Sequence, residues 1–552
     1  MASAAPGAAA RSPDTSRATA RALFARHWST LLFLLLALGI WGWVSWEAGY
    51  LRLITWEGGA DYWEHSATLH ALLENPWHPR HPHLAIDAGS PRFGPQFLLV
   101  ALVARALHWD ALRAMTLTTV LNSALFLWGI RSFFLSYFRE PLAPLYGLLV
   151  MFGGWWLGFH FSNVYALPVF FSVAAFPSTT ALGLTLLGWS LVVRLLRGEL
   201  SRPHRALAAL GVWAGAVFII HPLTAVMSIS GALLLGLVEG NASWRRRFEL
   251  ASAIVLGCAL AHFWPYFSPW LVLRGGNGPG ADWAAQSVRQ AAELQLKPKL
   301  HPFYAWSGLL QALGLSVLTL LTLPWFLLER ERRFVGLGAL SMFVPFVANA
   351  FVELPLGHRF LLLAMVYLHI GLVWLCLSVT PGTRQALGFA QRGAVGIVTS
   401  SAVALALLVF FGHSVLVARA LQTSPRNSRR SESAVVSNMR AIAAAAGPNA
   451  VVLASPLSSW PLPSFGPKVL VLFHPDPLVP DEDEREARVK RFLESSASDD
   501  ERREIIAQYG VTHVLLYRNG GPAARFLAKT STVRAVGTGF RLYTLRADAR
   551  KP

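Results

Sequence analysis

The sequence has little charge and few cysteines for its length. Only 14% of its 552 residues are charged, whereas a soluble domain usually carries about a quarter. Hydrophobic residues make up 54% of the chain, which is more than one soluble core can bury. The two cysteines, Cys258 and Cys376, lie inside apolar runs, so we expect neither a disulfide nor a metal site from them. This composition excludes a soluble enzyme, a disordered protein, a coiled coil and a disulfide scaffold, and it predicts a polytopic membrane protein.

Acidic residues are scarce as well. The chain has 30 Asp and Glu against 48 Lys and Arg, a formal net charge of +18. Such an excess can indicate a nucleic-acid partner, but here the arginines cluster between apolar runs, as the positive-inside rule requires. The positions of the arginines therefore indicate contact with membrane lipids and not with nucleic acid.

Apolar runs long enough to cross a bilayer predict about eleven transmembrane helices. They lie at 29–46, 111–137, 142–160, 176–196, 205–220, 223–239, 249–265, 305–328, 334–352, 360–379 and 394–418. The run at 29–46 could also be a signal peptide, but no small-residue cleavage site follows it, so we expect an uncleaved helix behind a disordered cytoplasmic tail at 1–28. The shorter run at 93–109 contains Arg105 and His108 and predicts an interfacial helix. With that helix lying on the membrane, the arginine-rich loops fall in the cytoplasm.

An odd number of spans places the C-terminus outside. Residues 419–552 alternate charged helical patterns with short apolar strands, which predicts an extracytoplasmic α/β domain. We expect helices at 434–446, 481–494 and 499–508 and strands at 450–455, 468–473 and 512–517, with a final strand pair. The transmembrane domain then covers 29–418, with external loops at 47–110 and 266–304. The predicted location is the bacterial inner membrane.

The first external loop carries the most distinctive cluster of ionisable residues. Asp61, Glu64 and His65 share one helical face because they are three and four residues apart. Such a group can do acid–base chemistry or hold a divalent cation, and it can equally be the solvated face of a loop helix. His78, His81 and His83 suggest zinc, but the intervening prolines favour an extended loop instead.

The segment GGADYWEH (58–65), followed by SPRFGPQFLLVALVARALHW (90–109) and an apolar span, resembles the C-type (GT-C) glycosyltransferases, in an uncharacterised bacterial branch. In that superfamily the first external loop carries a catalytic acid soon after the first span, a position that Asp61 matches. The stretch beginning at Pro91 differs from the Pro-Pro-Leu that relatives often show there. The order of spans and the external C-terminal domain also fit the resemblance.

The resemblance implies transfer of a sugar from a polyprenyl-phosphate-linked donor to an unidentified extracytoplasmic acceptor, with inversion. Asp61 is the expected base, and Glu64 or His65 would orient it or help it bind a divalent cation, which is the one cofactor that the resemblance suggests. The donor phosphate needs cations, and we expect these from Arg359, Lys297 and Lys299, with His221 as a further phosphate-binding residue. Arg359 also fits an interfacial anchor, and His221 fits a satisfied polar turn.

Two other functions remain open at this level. The chain could be a transporter or flippase of a lipid-linked or anionic substrate, although transporters usually place ionisable residues in mid-membrane and these cluster at the outer surface. It could also be a non-catalytic GT-C-like protein of envelope assembly.

Overall fold

The computed structural model describes residues 13–49, 60–155, 162–240, 242–273, 302–352, 354, 356–379, 394–423, 434–517, 521–536 and 539–550. This part of the chain is mostly helical. Its α-helices are α1 (Pro13–Gly49), α2 (Ala60–Glu74), α3 (Pro95–Ala106), α4 (Ala111–Phe138), α5 (Ala143–Gly153), α6 (Leu167–Val173), α7 (Pro177–Leu196), α8 (Pro203–Ile220), α9 (Pro222–Val238), α10 (Trp244–Leu260), α11 (Pro269–Leu273), α12 (Trp306–Leu313), α13 (Val317–Leu321), α14 (Leu323–Leu328), α15 (Arg333–Ala348), α16 (Phe360–Val379), α17 (Ala394–Thr423), α18 (Ala434–Ala446), α19 (Pro456–Ser459), α20 (Glu482–Leu493), α21 (Asp499–Gln508) and α22 (Ala524–Thr530).

Within the described ranges, five helical segments are long and apolar enough to cross a membrane. They are His27–Gly49, Ala111–Phe138, Pro177–Leu196, Pro203–Ile220 and Gly357–Ser378. The predicted count of eleven is therefore not confirmed. Several of the other predicted spans are shorter helices, such as α5 with 11 residues and α15 with 16.

The predicted span at 305–328 is broken into α12, α13 and α14. Gly314 has a left-handed φ of 50° at the end of α12, a conformation that glycine adopts without steric cost. Pro324 stands at the start of α14, where a missing N–H is tolerated but a continuous helix would be interrupted. These two residues explain why the apolar run does not form a single helix.

Two further predictions concern the N-terminal tail and the interfacial helix. Helix α1 begins at Pro13, ahead of the predicted span at 29–46 and within the predicted tail at 1–28. Helix α3 has 12 residues, which at 1.5 Å per residue gives a length of about 18 Å. That is too short for a hydrocarbon core of about 30 Å, as expected for the interfacial run at 93–109.

The C-terminal residues form a five-stranded sheet of order β2-β1-β3-β5-β4. Its strands are β1 (Val451–Leu453), β2 (Lys468–Val469), β3 (His513–Tyr517), β4 (Ser531–Val536) and β5 (Phe540–Leu545). The pairs of β1 with β2 and β3 are parallel, and the pairs of β5 with β3 and β4 are antiparallel. Apolar clusters cover both faces of the sheet.

The sheet is joined to the first external loop by direct packing. Leu84 pairs with Val469 in a parallel bridge and is fully buried among the apolar side chains of the sheet. A second apolar cluster brings Trp63 of α2 against Trp460. Strand β2 is only two residues long, shorter than the predicted 468–473, because the chain then leaves the sheet and carries Phe473 onto the ring of Trp460. These contacts bring the C-terminal residues to the predicted catalytic loop.

Candidate functional site

Helix α2 places the three predicted site residues in different surroundings. Asp61 lies in the first turn, where the helix dipole favours a carboxylate, and its side chain is 33% exposed. The Glu64 side chain is only 4% exposed. His65 packs between the rings of Phe97 and Phe176, with centroids 5.3 and 5.2 Å away. Of the three, Asp61 is the one whose side chain is open to an incoming molecule.

Glu64 is occupied by partners from distant parts of the chain. Trp460 Nε1 donates to Glu64 Oε1 at 2.7 Å, and Arg92 Nε lies 2.7 Å from Oε2. Burial acts to raise the pKa of the Glu64 carboxyl, but Arg92 and the nearby histidines outweigh it and lower that pKa to about 2. Glu64 is therefore a fixed anion at neutral pH, with both oxygens engaged.

Arg92 extends this network to the C-terminal residues. Its Nη1 lies 2.6 Å from Asp476 Oδ2, which also accepts a hydrogen bond from Ser90 Oγ at 2.6 Å. His81 Nε2 lies 3.3 Å from the same oxygen. Burial would raise the pKa of Asp476, yet the His81 hydrogen bond and the charge of Arg92 lower it to about 2. Glu64, Arg92 and Asp476 thus form a buried ionic chain from α2 to the segment after β2.

Two histidines of the first loop, His81 and His83, are buried within this network. His81 Nδ1 accepts from the backbone N–H groups of His83 and Leu84, and His78 is exposed. Burial lowers the pKa of His65 to about 4 and that of His83 to about 3, so both are neutral near pH 7. Among the residues that the structure describes, no three His, Cys, Asp or Glu side chains form a group that could hold a metal ion.

Two of the predicted phosphate ligands lie in the electrostatic surroundings of Asp61. Asp61 interacts electrostatically with Arg359 and with His221. Arg359 Nη1 donates to Ser162 Oγ at 3.1 Å, whereas its buried Nε has no hydrogen-bond partner. His221 caps α9, since its Nδ1 accepts from the Thr224 N–H at 3.1 Å. Lys297 and Lys299, like most of the second loop, lie outside the described residues.

Comparison with solved structures provides the fold assignment. No protein-family model and no curated protein matches the sequence. The oligosaccharyltransferase of Archaeoglobus fulgidus matches 93% of this chain and 74% of its own, with a TM-score of 0.51 at 11% identity. The chain has the GT-C fold. Two structures of the mycobacterial arabinofuranosyltransferase AftD, the second a mutant, also match 88% of this chain. They have TM-scores of 0.42 and 0.47 at 16% and 14% identity, and the match covers 40% and 41% of their length.

Sequence reasoning missed the C-terminal contribution to this candidate site. His474 Nδ1 lies 3.7 Å from Asp61 Oδ1 and 3.7 Å from Glu64 Oε1. The available signal was the sequence FHPDP (473–477), where a histidine and an aspartate are each followed by proline at the end of an apolar run. Arg92 was visible only as a departure from the expected motif.

The structure also has a cleft of about 330 Å³ near the C-terminal end of α2. Its polar lining includes His70, Asp110 and Arg440, and its apolar lining includes Leu112 and Phe465. Asp61 does not line this cleft, so the cleft is separate from the candidate base.

Proposed function

We propose that the protein is a membrane glycosyltransferase that moves a sugar from a polyprenyl-phosphate-type donor to an extracytoplasmic acceptor, with inversion. One observation carries the proposal: the partly exposed carboxylate of Asp61 lies within electrostatic reach of the partly buried guanidinium of Arg359. A base and an anion-binding group in one region are what transfer from a lipid phosphate requires. The GT-C fold of the chain supports the same reaction class.

In the proposed reaction, Asp61 accepts the proton of the acceptor hydroxyl. The hydroxyl oxygen bonds to the anomeric carbon from the face opposite the phosphate, and the bond from that carbon to the phosphate oxygen breaks. The electron pair leaves with the phosphate, so the configuration at the anomeric carbon inverts. Asp61 ends the step protonated and loses its proton to solvent.

Arg359 is the proposed partner of the departing phosphate. Its unpartnered Nε and planar guanidinium suit a phosphate that gains charge as the bond breaks. His221 would stand beside the same headgroup, and Lys297 and Lys299 are proposed as further cationic contacts from the second loop.

Glu64 has a different proposed role from Asp61. Because Trp460 and Arg92 bind the oxygens of Glu64, we propose that Glu64 helps to orient Asp61 and does not accept the proton. His65 holds α2 against aromatic rings. If the reaction needs a divalent cation, Asp61 is the carboxylate open to it.

The test is transfer by the full-length protein in lipid nanodiscs. The donors are synthetic polyprenyl-phosphate pentoses and hexoses with a labelled sugar, and a bacterial envelope fraction is the acceptor. Asp61→Asn is expected to lower the transfer rate by about 100-fold or more. Asp87→Asn, an exposed acid on the same loop, is the matched control and should keep the wild-type rate. Full activity of Asp61→Asn, or no turnover of any donor by folded wild type, would contradict the proposal.

A further inference from the structure

The ring of His474 lies between the two acidic side chains of α2. Its Nδ1 is 3.7 Å from one oxygen of Asp61 and 3.7 Å from one oxygen of Glu64. Both His474 and Asp61 are about one-third exposed, at 35% and 33%. His474 therefore reaches the candidate base from a part of the chain that lies more than 400 residues further on.

Its neighbours hold this ring in place. Phe473 stacks on Trp460 with ring centroids 3.9 Å apart and planes at 15°. His474 stands edge-on to the same indole at 5.0 Å and 87°. Its carbonyl oxygen accepts from Arg92 Nη2 at 3.1 Å, and the following Pro475 restricts its backbone to extended conformations. The imidazole is thus presented to α2 from a fixed backbone.

Glu64 determines which ring nitrogen of His474 favourably carries a proton. Glu64 stays anionic because Arg92 and Trp460 bind its carboxylate oxygens. A ring nitrogen that faces a fixed carboxylate is stabilised when it carries a proton. The geometry therefore favours an N–H at Nδ1, and the same N–H faces Asp61 Oδ1.

We propose that His474 is a positioning residue that orients the base Asp61 by donating from Nδ1 to its carboxylate, an inference that rests on the proposed glycosyltransferase function. The 3.7 Å separation shortens to a hydrogen bond when the acceptor enters, as contacts of catalytic groups often do. With one oxygen of Asp61 bound to the Nδ1–H of His474, the second oxygen remains directed at the acceptor hydroxyl. Residues after 419 thereby complete a site whose base stands on the first loop.

The experiment compares five proteins in the transfer assay: wild type, His474→Phe, His474→Asn, Asp61→Asn, and His474→Phe combined with Asp61→Asn. Phenylalanine keeps the ring and removes the donor, whereas asparagine places an N–H near the position of Nδ1. We expect His474→Phe to lower kcat by about 10- to 100-fold, the size of effect seen for orienting partners, with the donor KM within about twofold of wild type. His474→Asn should restore kcat to within about threefold of wild type. In the Asp61→Asn background, His474→Phe should cause no further loss.

Each other outcome overturns the role of His474. These outcomes are an unchanged kcat in His474→Phe, an equal loss in folded His474→Asn, and losses that multiply in the double variant. If thermal unfolding shows that His474→Phe does not fold, His474→Gln replaces it, since its longer amide does not reproduce the Nδ1 donor, and the same loss is expected. The exposed His78→Phe is the control for ring substitution. Full activity of Asp61→Asn alone would instead reject the proposed function, so the two failures are distinguishable.

Discussion

Arg92 and Asp476 form a buried ion pair in which Nη1 of the guanidinium lies 2.6 Å from Oδ2 of the carboxylate. Arg92 also forms an ion pair with Glu64 of α2. This one arginine therefore connects the first external loop to the segment after β2. The candidate base Asp61 and its proposed orienting residue His474 stand on the two sides of this connection. The packing of the candidate site therefore depends on this ion pair.

Removing Arg92 should destabilise the protein. Arg92→Ala leaves two carboxylates buried without their counter-charge, and breaking such a pair from one side costs about 3–5 kcal/mol. The measurement is the thermal unfolding midpoint of the full chain in detergent. Arg80→Ala, on the exposed surface of the same loop, should change the free energy of unfolding by less than about 0.5 kcal/mol. Equal midpoints for the two variants would contradict the structural role of Arg92.

Replacing Arg359 should lower the catalytic efficiency toward the polyprenyl-phosphate donor. Arg359→Lys keeps the charge and loses the planar fork, and one hydrogen bond to a charged group contributes about 1.5–3 kcal/mol. We expect kcat/KM for the polyprenyl-phosphate donor to fall by about 10- to 100-fold. Arg113→Lys, at an exposed position in the first turn of α4, is the matched control. A wild-type kcat/KM in Arg359→Lys would leave Arg359 as an interfacial anchor only.

Stability should decline on both sides of mildly acidic pH. Burial raises the pKa of Glu482 from 4.5 to about 8, so its stabilising contribution is complete below pH 4.5 and is lost as the pH rises through 8. The pKa of Glu64 is lowered from 4.5 to about 2. Its contribution is therefore present above pH 4.5 and is lost as the pH falls through 2.

The loss of stability at alkaline pH can be assigned to Glu482 by substitution. Its Oε2 accepts from the backbone N–H of Asp476 at 2.9 Å, a bond that the amide oxygen of glutamine can keep. Glu482→Gln should therefore reduce the fall in unfolding midpoint between pH 6 and pH 9, while the exposed Glu484→Gln should retain the wild-type slope. A midpoint that falls equally in all three proteins would show that another group titrates.

The orientation of the chain can be measured with single cysteines. In a Cys258→Ala, Cys376→Ala background, Asp87→Cys reports on the first external loop and Arg245→Cys on the first turn of α10. Both positions are exposed. A membrane-impermeant maleimide should label Asp87→Cys in intact spheroplasts and Arg245→Cys only after lysis. The reverse pattern would place the candidate site in the cytoplasm and reject the extracytoplasmic acceptor.

Composition and periodicity determine the general character of this protein. The low share of charged residues predicts a membrane protein, and long apolar runs predict the helices α4, α7 and α8 close to where they lie. The short apolar runs at 450–455 and 512–517 contain strands β1 and β3. These features depend on residues that are near one another in the chain, so local pattern is sufficient to predict them.

Tertiary structure decided which of the two acids Asp61 and Glu64 on α2 is partly exposed and which is buried. Asp61 and Glu64 have the same residue chemistry and share one helical face, yet one is exposed and the other is held by Arg92 and Trp460. Trp460 lies 396 residues away from Glu64 in sequence, and no periodicity in α2 indicates that contact. The same applies to His474, because its distance from Asp61 depends on the path of the chain after β2. Burial and charge pairing are properties of the packed chain, and they separate two carboxylates that the sequence presents as equivalent.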